Sequence, residues 1–182
     1  MPTLTPSQAL LIGFIVAPTL FALCAYFTRA SARRIAGALV GVAAYGVLNY
    51  VWDQAAFLYG WWSYPAWLGT GRAPLTLYAL AGIAGGACSL IGWRIVRRWG
   101  WKGFVGYLLF WVVYAVVHDY GGSKAFASSQ LMVFGPGLTP IIADMLWFAT
   151  GNAAPLLAIR IVGGPANADP LARTKSASAE LQ

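Results

Sequence analysis

Three aspartates are the residues of this chain best suited to carry chemistry. The chain has only five acidic residues, and two of them, Asp169 and Glu180, lie close to the C-terminus. The other three, Asp53, Asp119 and Asp144, lie within or beside long apolar stretches. An ionisable group in such surroundings is costly unless it is paired or solvated, and desolvation favours the neutral form of a carboxyl group. A neutral carboxylic acid among apolar side chains can donate a proton to a substrate.

Polar and aromatic residues follow helical spacing around these acids. Asn49 lies one turn before Asp53 on the same helix face, so we expect its amide to hydrogen-bond the carboxyl group. His118 directly precedes Asp119, but neighbouring residues of a helix point about 100° apart, so contact between these two side chains is left open. Asp144 falls in the first turns of an expected helix, where the helix dipole favours negative charge. An aromatic stripe ends at the single histidine and comprises Tyr107, Trp111, Tyr114 and His118.

A purely structural interpretation of the same residues stays open. Asp53 and Asp119 could be helix-end residues in contact with water, and the aromatic stripe could serve helix packing. Asp144 lies deeper in apolar sequence and is the better functional candidate. Aromatic residues are also typical of the membrane interface, which is our interpretation of Trp67. Four aromatic residues within seven positions exceed what such a belt needs, so we expect part of this loop to fold back as a lid: Trp61, Trp62, Tyr64 and Trp67.

The composition indicates an all-α, polytopic membrane protein. Of the 182 residues, 59% are hydrophobic and 9% are charged, whereas a soluble domain carries about 25% charged residues. The net charge of +7 does not indicate nucleic-acid binding, because the basic residues lie in short loops between apolar runs. The chain has no metal-ligand cluster, thiol-nucleophile pattern or phosphate loop, so we expect neither a metal nor a cofactor.

Five segments have the roughly 20 apolar residues that a spanning helix needs. They are approximately Gln8–Phe27, Ile35–Leu58, Leu75–Val96, Phe104–Tyr120 and Ile141–Val162. Ten basic residues then fall on one side of the membrane, and only Arg72 and Lys124 fall on the other. By the positive-inside rule the first side is cytoplasmic. We therefore expect a bacterial inner-membrane protein with its N-terminus outside and its C-terminus in the cytoplasm.

The sequence contains an internal repeat with an offset of 66 residues. Residues 34–97 align without a gap on residues 100–163 at 15 identical positions of 64, where composition alone would give roughly a third of that number. Asp53 aligns with Asp119. Each unit predicts a helix, an outer loop and a returning helix, so the two copies have the same orientation in the membrane. We expect residues 1–163 to form one transmembrane domain, and the polar tail 164–182 to be disordered.

One stretch resembles a known family. The residues Trp52-Asp53, Gly60-Trp61-Trp62-Ser63-Tyr64-Pro65 and Pro74-Leu75-Thr76-Leu77-Tyr78 are similar to elements of the integral-membrane lycopene (carotenoid) β-cyclases, which are also built from tandem helical halves. In that family paired glutamates are held to be the catalytic acids, and they fall on Thr76 and Leu77 here. The resemblance implies cyclisation of an isoprenoid, and this departure puts lycopene itself in doubt as the substrate.

A shorter element resembles a second family. Asn49-x-x-Trp52-Asp53 is similar to the Asn-x-x-Trp-Glu element of the small membrane-bound terpene cyclases of meroterpenoid pathways. Those enzymes are described as using one acid in each of two distant helices. Asp53 paired with Asp119, or Asp53 paired with Asp144, could fill those roles.

Together the two resemblances imply a membrane-embedded isoprenoid cyclase or isomerase. Asp53 and Asp144 would be proton donor and acceptor, with Asp119 as the alternative, and Asn49 and His118 would orient them. A hydrophobic isoprenoid would reach the site from the lipid bilayer, and pairing with a second copy or another chain is left open. The expected pocket consists of aromatic residues whose faces stabilise a carbocation: Trp52, Trp61, Trp62, Tyr64, Tyr78, Trp111, Tyr114 and Trp147.

A rival hypothesis is a non-enzymatic protein that binds or transports a lipid or small molecule. Internal repeats and intramembrane carboxyl groups are also features of transporters. Flux that leaves the ligand chemically unchanged would separate this class from an enzyme.

Overall fold

Apolar helices make up most of the structure. The computed structural model describes residues 6–64, 71–121 and 132–166, so Trp67 and the predicted disorder of residues 167–182 lie outside the described residues. Within these ranges the helices are α1 (Pro6–Thr28), α2 (Ala32–Tyr59), α3 (Leu75–Tyr114) and α4 (Thr139–Gly163), and α3 continues as a π-helical segment, Ala115–Gly121. Two short strands, β1 (Trp62–Ser63) and β2 (Val133–Phe134), pair antiparallel.

Four helices of the described ranges are long and apolar enough to cross a membrane. The third spans 47 residues, Leu75–Gly121, and joins two of the five segments expected from the sequence. Its backbone breaks at Gly100, where φ is 58° and ψ is −134°. A Cβ atom at Gly92 would lie 2.8 Å from the Tyr107 ring, and one at Gly103 would lie 2.8 Å from the Ile95 carbonyl oxygen. The two limbs of α3 on either side of Gly100 therefore pack against each other.

Glycine and other small residues bring α2 close to its neighbours. A Cβ atom at Gly37 would lie 2.7 Å from the Ile159 Cα atom of α4. A Cβ atom at Gly82 of α3 would lie 2.6 Å from the carbonyl oxygen of Val42 in α2. No larger residue than glycine fits against a facing backbone at this distance, so Gly82 permits the close approach of α2 and α3.

Arg34 fixes one end of the α2–α4 pair. Its guanidinium group donates hydrogen bonds to the carbonyl oxygens of Ile159 (3.3 Å), Gly164 (2.5 Å) and Pro165 (3.2 Å). It also lies 4.2 Å from the centre of the Trp93 ring. The last carbonyl groups of a helix have no partners within the helix, and a cation there also complements the helix dipole. Arg34 thus acts as the C-terminal cap of α4.

The strand pair closes the opposite end of the molecule. Gly60 ends α2 in the left-handed conformation, with φ at 67°, and the chain turns directly into β1. Trp62 pairs with Phe134, and the Gly135 amide donates to the Trp61 carbonyl oxygen at 2.8 Å. The ribbon packs its buried side chains on the ends of α2 and α4, in a cluster of Ala56, Trp62, Met132, Phe134 and Ala143. This end of the helices carries the three aspartates.

Candidate functional site

A cavity of about 240 Å³ lies beneath the ribbon, and two of the three aspartates line it. Its walls come from all four helices, from the π-helical segment, and from the loops that contain Tyr64, Pro74 and Met132. Most of the lining is apolar or aromatic. Among the described residues, Asp53 and Asp119 are the only acidic residues that line the cavity. The lining residues are Leu10, Tyr45, Asn49, Asp53, Tyr64, Pro74, Leu77, Tyr78, Ala81, Asp119, Met132 and Trp147.

Asp53 is held by donors from the loop after its own helix. The Trp62 indole donates to Oδ1 at 2.9 Å, and the Tyr64 hydroxyl lies 3.0 Å from Oδ1 and 2.9 Å from Oδ2. Tyr78 of α3 is a further hydrogen-bonding neighbour. Asp53 is only 5% exposed, and these donors offset part of the cost of burying a charge there. The expected fold-back of the aromatic loop is therefore present at Trp62 and Tyr64.

Tyr64 remains a donor over a wide pH range. Burial raises the pKa of its hydroxyl well above the usual value, and the negative charge of Asp53 raises it further. The phenol therefore stays neutral when the surrounding solution is alkaline. Its hydroxyl group therefore remains available as a donor to Asp53.

Asp119 lies on the opposite side of the cavity, beside the solvent-exposed His118. The His118 Nδ1 and Asp119 Oδ1 atoms are 2.5 Å apart, and the two side chains are 59% and 15% exposed. Both residues belong to the π-helical segment, whose hydrogen bonds run from i to i+5 rather than i+4. The His118 ring also stacks on Tyr114, with centroids 4.6 Å apart. This stack orients the imidazole, and the contact that the sequence left open is formed.

Asp144 is fully buried behind the cavity and does not line it. Among the described residues neither of its carboxyl oxygens has a hydrogen-bond partner. The carboxyl group of Asp119 is the other ionisable group that interacts with it electrostatically. An unpaired carboxylate in such a place is very costly, so a buried carboxyl group of this kind takes the neutral form.

The sequence alignment also relates Asp144 to Tyr78. The offset of 66 residues aligns Asp53 with Asp119 and Tyr78 with Asp144. In the structure Tyr78 interacts with Asp53, and Asp144 interacts electrostatically with Asp119. The alignment of Tyr78 with Asp144 is visible in the sequence, but a comparison that considers only identical residues does not show it.

The expected hydrogen bond from Asn49 to Asp53 is not formed. Its amide nitrogen donates to the carbonyl oxygen of Tyr45 at 3.2 Å, and Asp53 takes its hydrogen bonds from Trp62, Tyr64 and Tyr78 instead. A side-chain amide can reach the carbonyl one turn back on its own helix, whereas the loop places stronger charge-assisted donors on the acid. Asn49 is buried and contributes its side chain to the cavity wall.

Three of the eight aromatic residues expected in the pocket line it, and five do not. Tyr64, Tyr78 and Trp147 are lining residues, and Tyr45 is one that the expectation lacked. The Trp52 indole faces away and donates to the Thr150 hydroxyl at 3.0 Å. The remaining four pack around the site without lining it: Trp61 on Trp62, Trp62 on Trp147, Trp111 on Phe148 and Tyr114 on His118. Helical spacing shows which rings share a face, but not which ring reaches the cavity.

A larger apolar groove, of about 610 Å³, lies between the two limbs of α3. Lys102 is its only charged lining residue, and it contains no acid. Within the described residues no three His, Cys, Asp or Glu side chains come together as metal ligands. The cavity with Asp53 and Asp119 is therefore the better candidate for chemistry.

Comparisons with known proteins add no functional assignment. No protein-family model matches this chain, and comparison with curated proteins and with solved structures finds no match.

Proposed function

We propose that this protein is a membrane-embedded isoprenoid cyclase or isomerase that works by proton-initiated carbocation chemistry. One observation carries the proposal: Asp53 and Asp119 line a common cavity whose other walls are apolar and aromatic apart from Asn49. This chemistry requires an acid and a base that line one cavity, and that cavity must exclude water and be lined by aromatic side chains. Water would quench a carbocation, and aromatic faces stabilise positive charge.

The proposal includes a membrane topology. Gly100 separates α3 into two spans, so the chain crosses the membrane five times, and the units 34–97 and 100–163 are parallel copies of one helix pair. The contact of the two α3 limbs at Gly92 and Tyr107 supports this interpretation. The N-terminus and the cavity lie outside, and the basic end around Arg34 is cytoplasmic.

The proposed reaction conserves atoms and electrons. The carboxyl group of Asp119 gives its proton to a substrate alkene, which forms a C–H bond and leaves a carbocation. A second alkene of the same substrate attacks the cation and closes a ring. The carboxylate of Asp53 then removes a proton from a neighbouring carbon, which restores a double bond. The donors on Asp53 hold its oxygens in place for this last step.

The substrate is expected to enter the cavity only by its reacting end. About 240 Å³ is below the roughly 300–1,000 Å³ of a pocket that encloses a drug-sized ligand. Tyr45, Tyr78 and Trp147 line that cavity, where their rings would contact the cation. The rest of an isoprenoid chain would remain in the bilayer, where such a molecule is already dissolved.

Expression with a panel of isoprenoids tests this function. Host membranes that contain the protein are supplied with prenylated substrates of different length, and lipid extracts are compared by mass spectrometry. A cyclase produces an isomer of the substrate with equal mass, altered retention and one fewer double bond. Recovery of every isoprenoid unchanged, together with tight binding of one of them, would favour the rival class of binding protein or transporter.

A further inference from the structure

The larger groove, between the two limbs of α3, runs lengthwise along the helix. Its lining from the first limb is Cys88, Ile91, Ile95 and Trp99, and their spacing of three and four residues places them on one helix face. From Cys88 to Trp99 a helix rises about 16 Å. This length is close to one leaflet of a bilayer, which is half of a hydrocarbon core of about 30 Å.

The second limb leaves open space in this groove at Gly106. A Cβ atom at Gly106 would meet no other atom within 4 Å, whereas Gly92 and Gly103 bring the limbs into contact. Phe110 and Trp111 extend the wall of the second limb. The volume of about 610 Å³ is within the roughly 300–1,000 Å³ of pockets that enclose a drug-sized ligand, so the groove has room for an apolar chain.

One end of the groove carries positive charge. Lys102 lines this end just after the break at Gly100, and its side chain is exposed. The guanidinium carbon of Arg98 lies 5.2 Å from the centre of the Trp99 ring, which brings a second cation to the same end. The acids of the described residues all lie at the ribbon end of the helices, so none of them neutralises these two cations.

The aromatic side chains at this end are typical of the membrane surface. Trp99 is 56% exposed and Trp101 is 73% exposed, and tryptophan is enriched at the depth of the lipid headgroups. A phosphate group at that depth would lie beside Lys102, and an acyl chain attached to it would extend along the groove toward Cys88. The positions of charge and apolar surface therefore match the two parts of a single phospholipid.

We propose that this groove binds one anionic phospholipid, with its phosphate at Lys102 and Arg98 and one acyl chain between the limbs of α3. The site rests on the membrane topology proposed above, but it needs neither the cavity beneath the ribbon nor turnover of an isoprenoid. Phosphatidylglycerol and phosphatidylcholine have the same phosphate and acyl chains, and only the second carries a compensating positive charge. Their relative affinity therefore reports the contribution of the two cations.

Native mass spectrometry of the full chain in detergent, titrated with either lipid and without isoprenoid, tests the site. We expect a one-to-one complex that favours phosphatidylglycerol. Each cation near an anionic lipid contributes about fivefold, so Lys102→Gln should weaken phosphatidylglycerol binding by about fivefold and leave phosphatidylcholine binding unchanged. Lys102→Arg should keep the preference. The matched control is Arg160→Gln, which removes an exposed cation of α4 outside the groove and should also keep it.

Gly106→Leu tests the position of the acyl chain. Its side chain would displace about two methylene groups from the groove, so both lipids should bind about tenfold more weakly. The control Val113→Leu changes a residue of the same limb that is 61% exposed and does not line the groove, and it should have no effect. Thermal unfolding verifies that each variant is folded.

Three results would overturn the lipid site. They are equal affinity for the two lipids, phosphatidylglycerol binding that is unaffected by both Lys102→Gln and Gly106→Leu, and a lipid-free dimer that dissociates in Gly106→Leu, which would assign the groove to a second copy of the chain. Selective lipid binding without any isoprenoid product would refute the cyclase and leave this site intact.

Discussion

Removal of one hydroxyl group, in Tyr64→Phe, is the sharpest perturbation of the candidate site. Tyr64 is the residue that contacts both oxygens of Asp53, at 3.0 and 2.9 Å. Phenylalanine keeps the ring and its packing, so the change removes one donor and little else. Asp53 then retains the indole of Trp62 and the hydroxyl of Tyr78.

The magnitude follows from the kind of hydrogen bond that is lost. A hydrogen bond to a charged group contributes about 1.5–3 kcal/mol. Because each 1.36 kcal/mol changes a rate by a factor of ten, the loss corresponds to about 10- to 150-fold. We expect product formation to fall by that factor if Asp53 acts as a carboxylate in the proton-abstraction step.

The assay compares product per mole of folded protein, with isoprenoid product measured by mass spectrometry and folding measured by thermal unfolding. Tyr59→Phe is the matched control, because Tyr59 is 70% exposed and stacks on Trp61 without a contact to Asp53. It should retain full activity. Full activity of Tyr64→Phe, or an equal loss in the control, would refute the assignment of Asp53.

Three further predictions concern packing and pH. Gly37→Ala places a Cβ atom 2.7 Å from the Ile159 backbone and should lower the free energy of unfolding by about 1–3 kcal/mol. Its control, Gly106→Ala, meets no atom within 4 Å and should be neutral or stabilising by up to about 1 kcal/mol. Denaturant unfolding measures both variants, and equal effects would contradict the close approach of α2 and α4. Arg34→Met removes three carbonyl partners and should cost about 2–4 kcal/mol in the same measurement, so an unaltered midpoint would contradict its capping role. Because the pKa of Tyr64 is raised, its hydroxyl stays protonated, and the ratio of parent activity to Tyr64→Phe activity should stay constant as the pH rises to 10. A ratio that falls in this range would indicate that this phenol ionises.

The helix content was predictable from the sequence, because apolar length predicts the helices. The joining of two expected segments into α3 was not predicted, since the residues on both sides of Gly100, Arg98 and Lys102 included, are helical and only Gly100 itself leaves the helical conformation. The five spans and the repeat stay predictions.

The site was predictable in its acids but not in their partners. Asp53 and Asp119 stand out because acids are rare in apolar sequence, and the 66-residue offset aligns one with the other. The donors to Asp53 come from a loop that folds back through a strand pairing between distant segments. Helical spacing alone favours Asn49 as the partner, and it contains no information about that pairing.

The most direct test of the central claim measures isoprenoid product in Asp53→Asn and Asp119→Asn beside Asp169→Asn, which changes an acid near the C-terminus. Asparagine has nearly the shape of aspartate but neither donates a carboxylic proton nor serves as a base. The account predicts that both cavity variants lose product by at least about 100-fold while they insert and unfold like the tail variant. Unimpaired product formation by either Asp53→Asn or Asp119→Asn would contradict it.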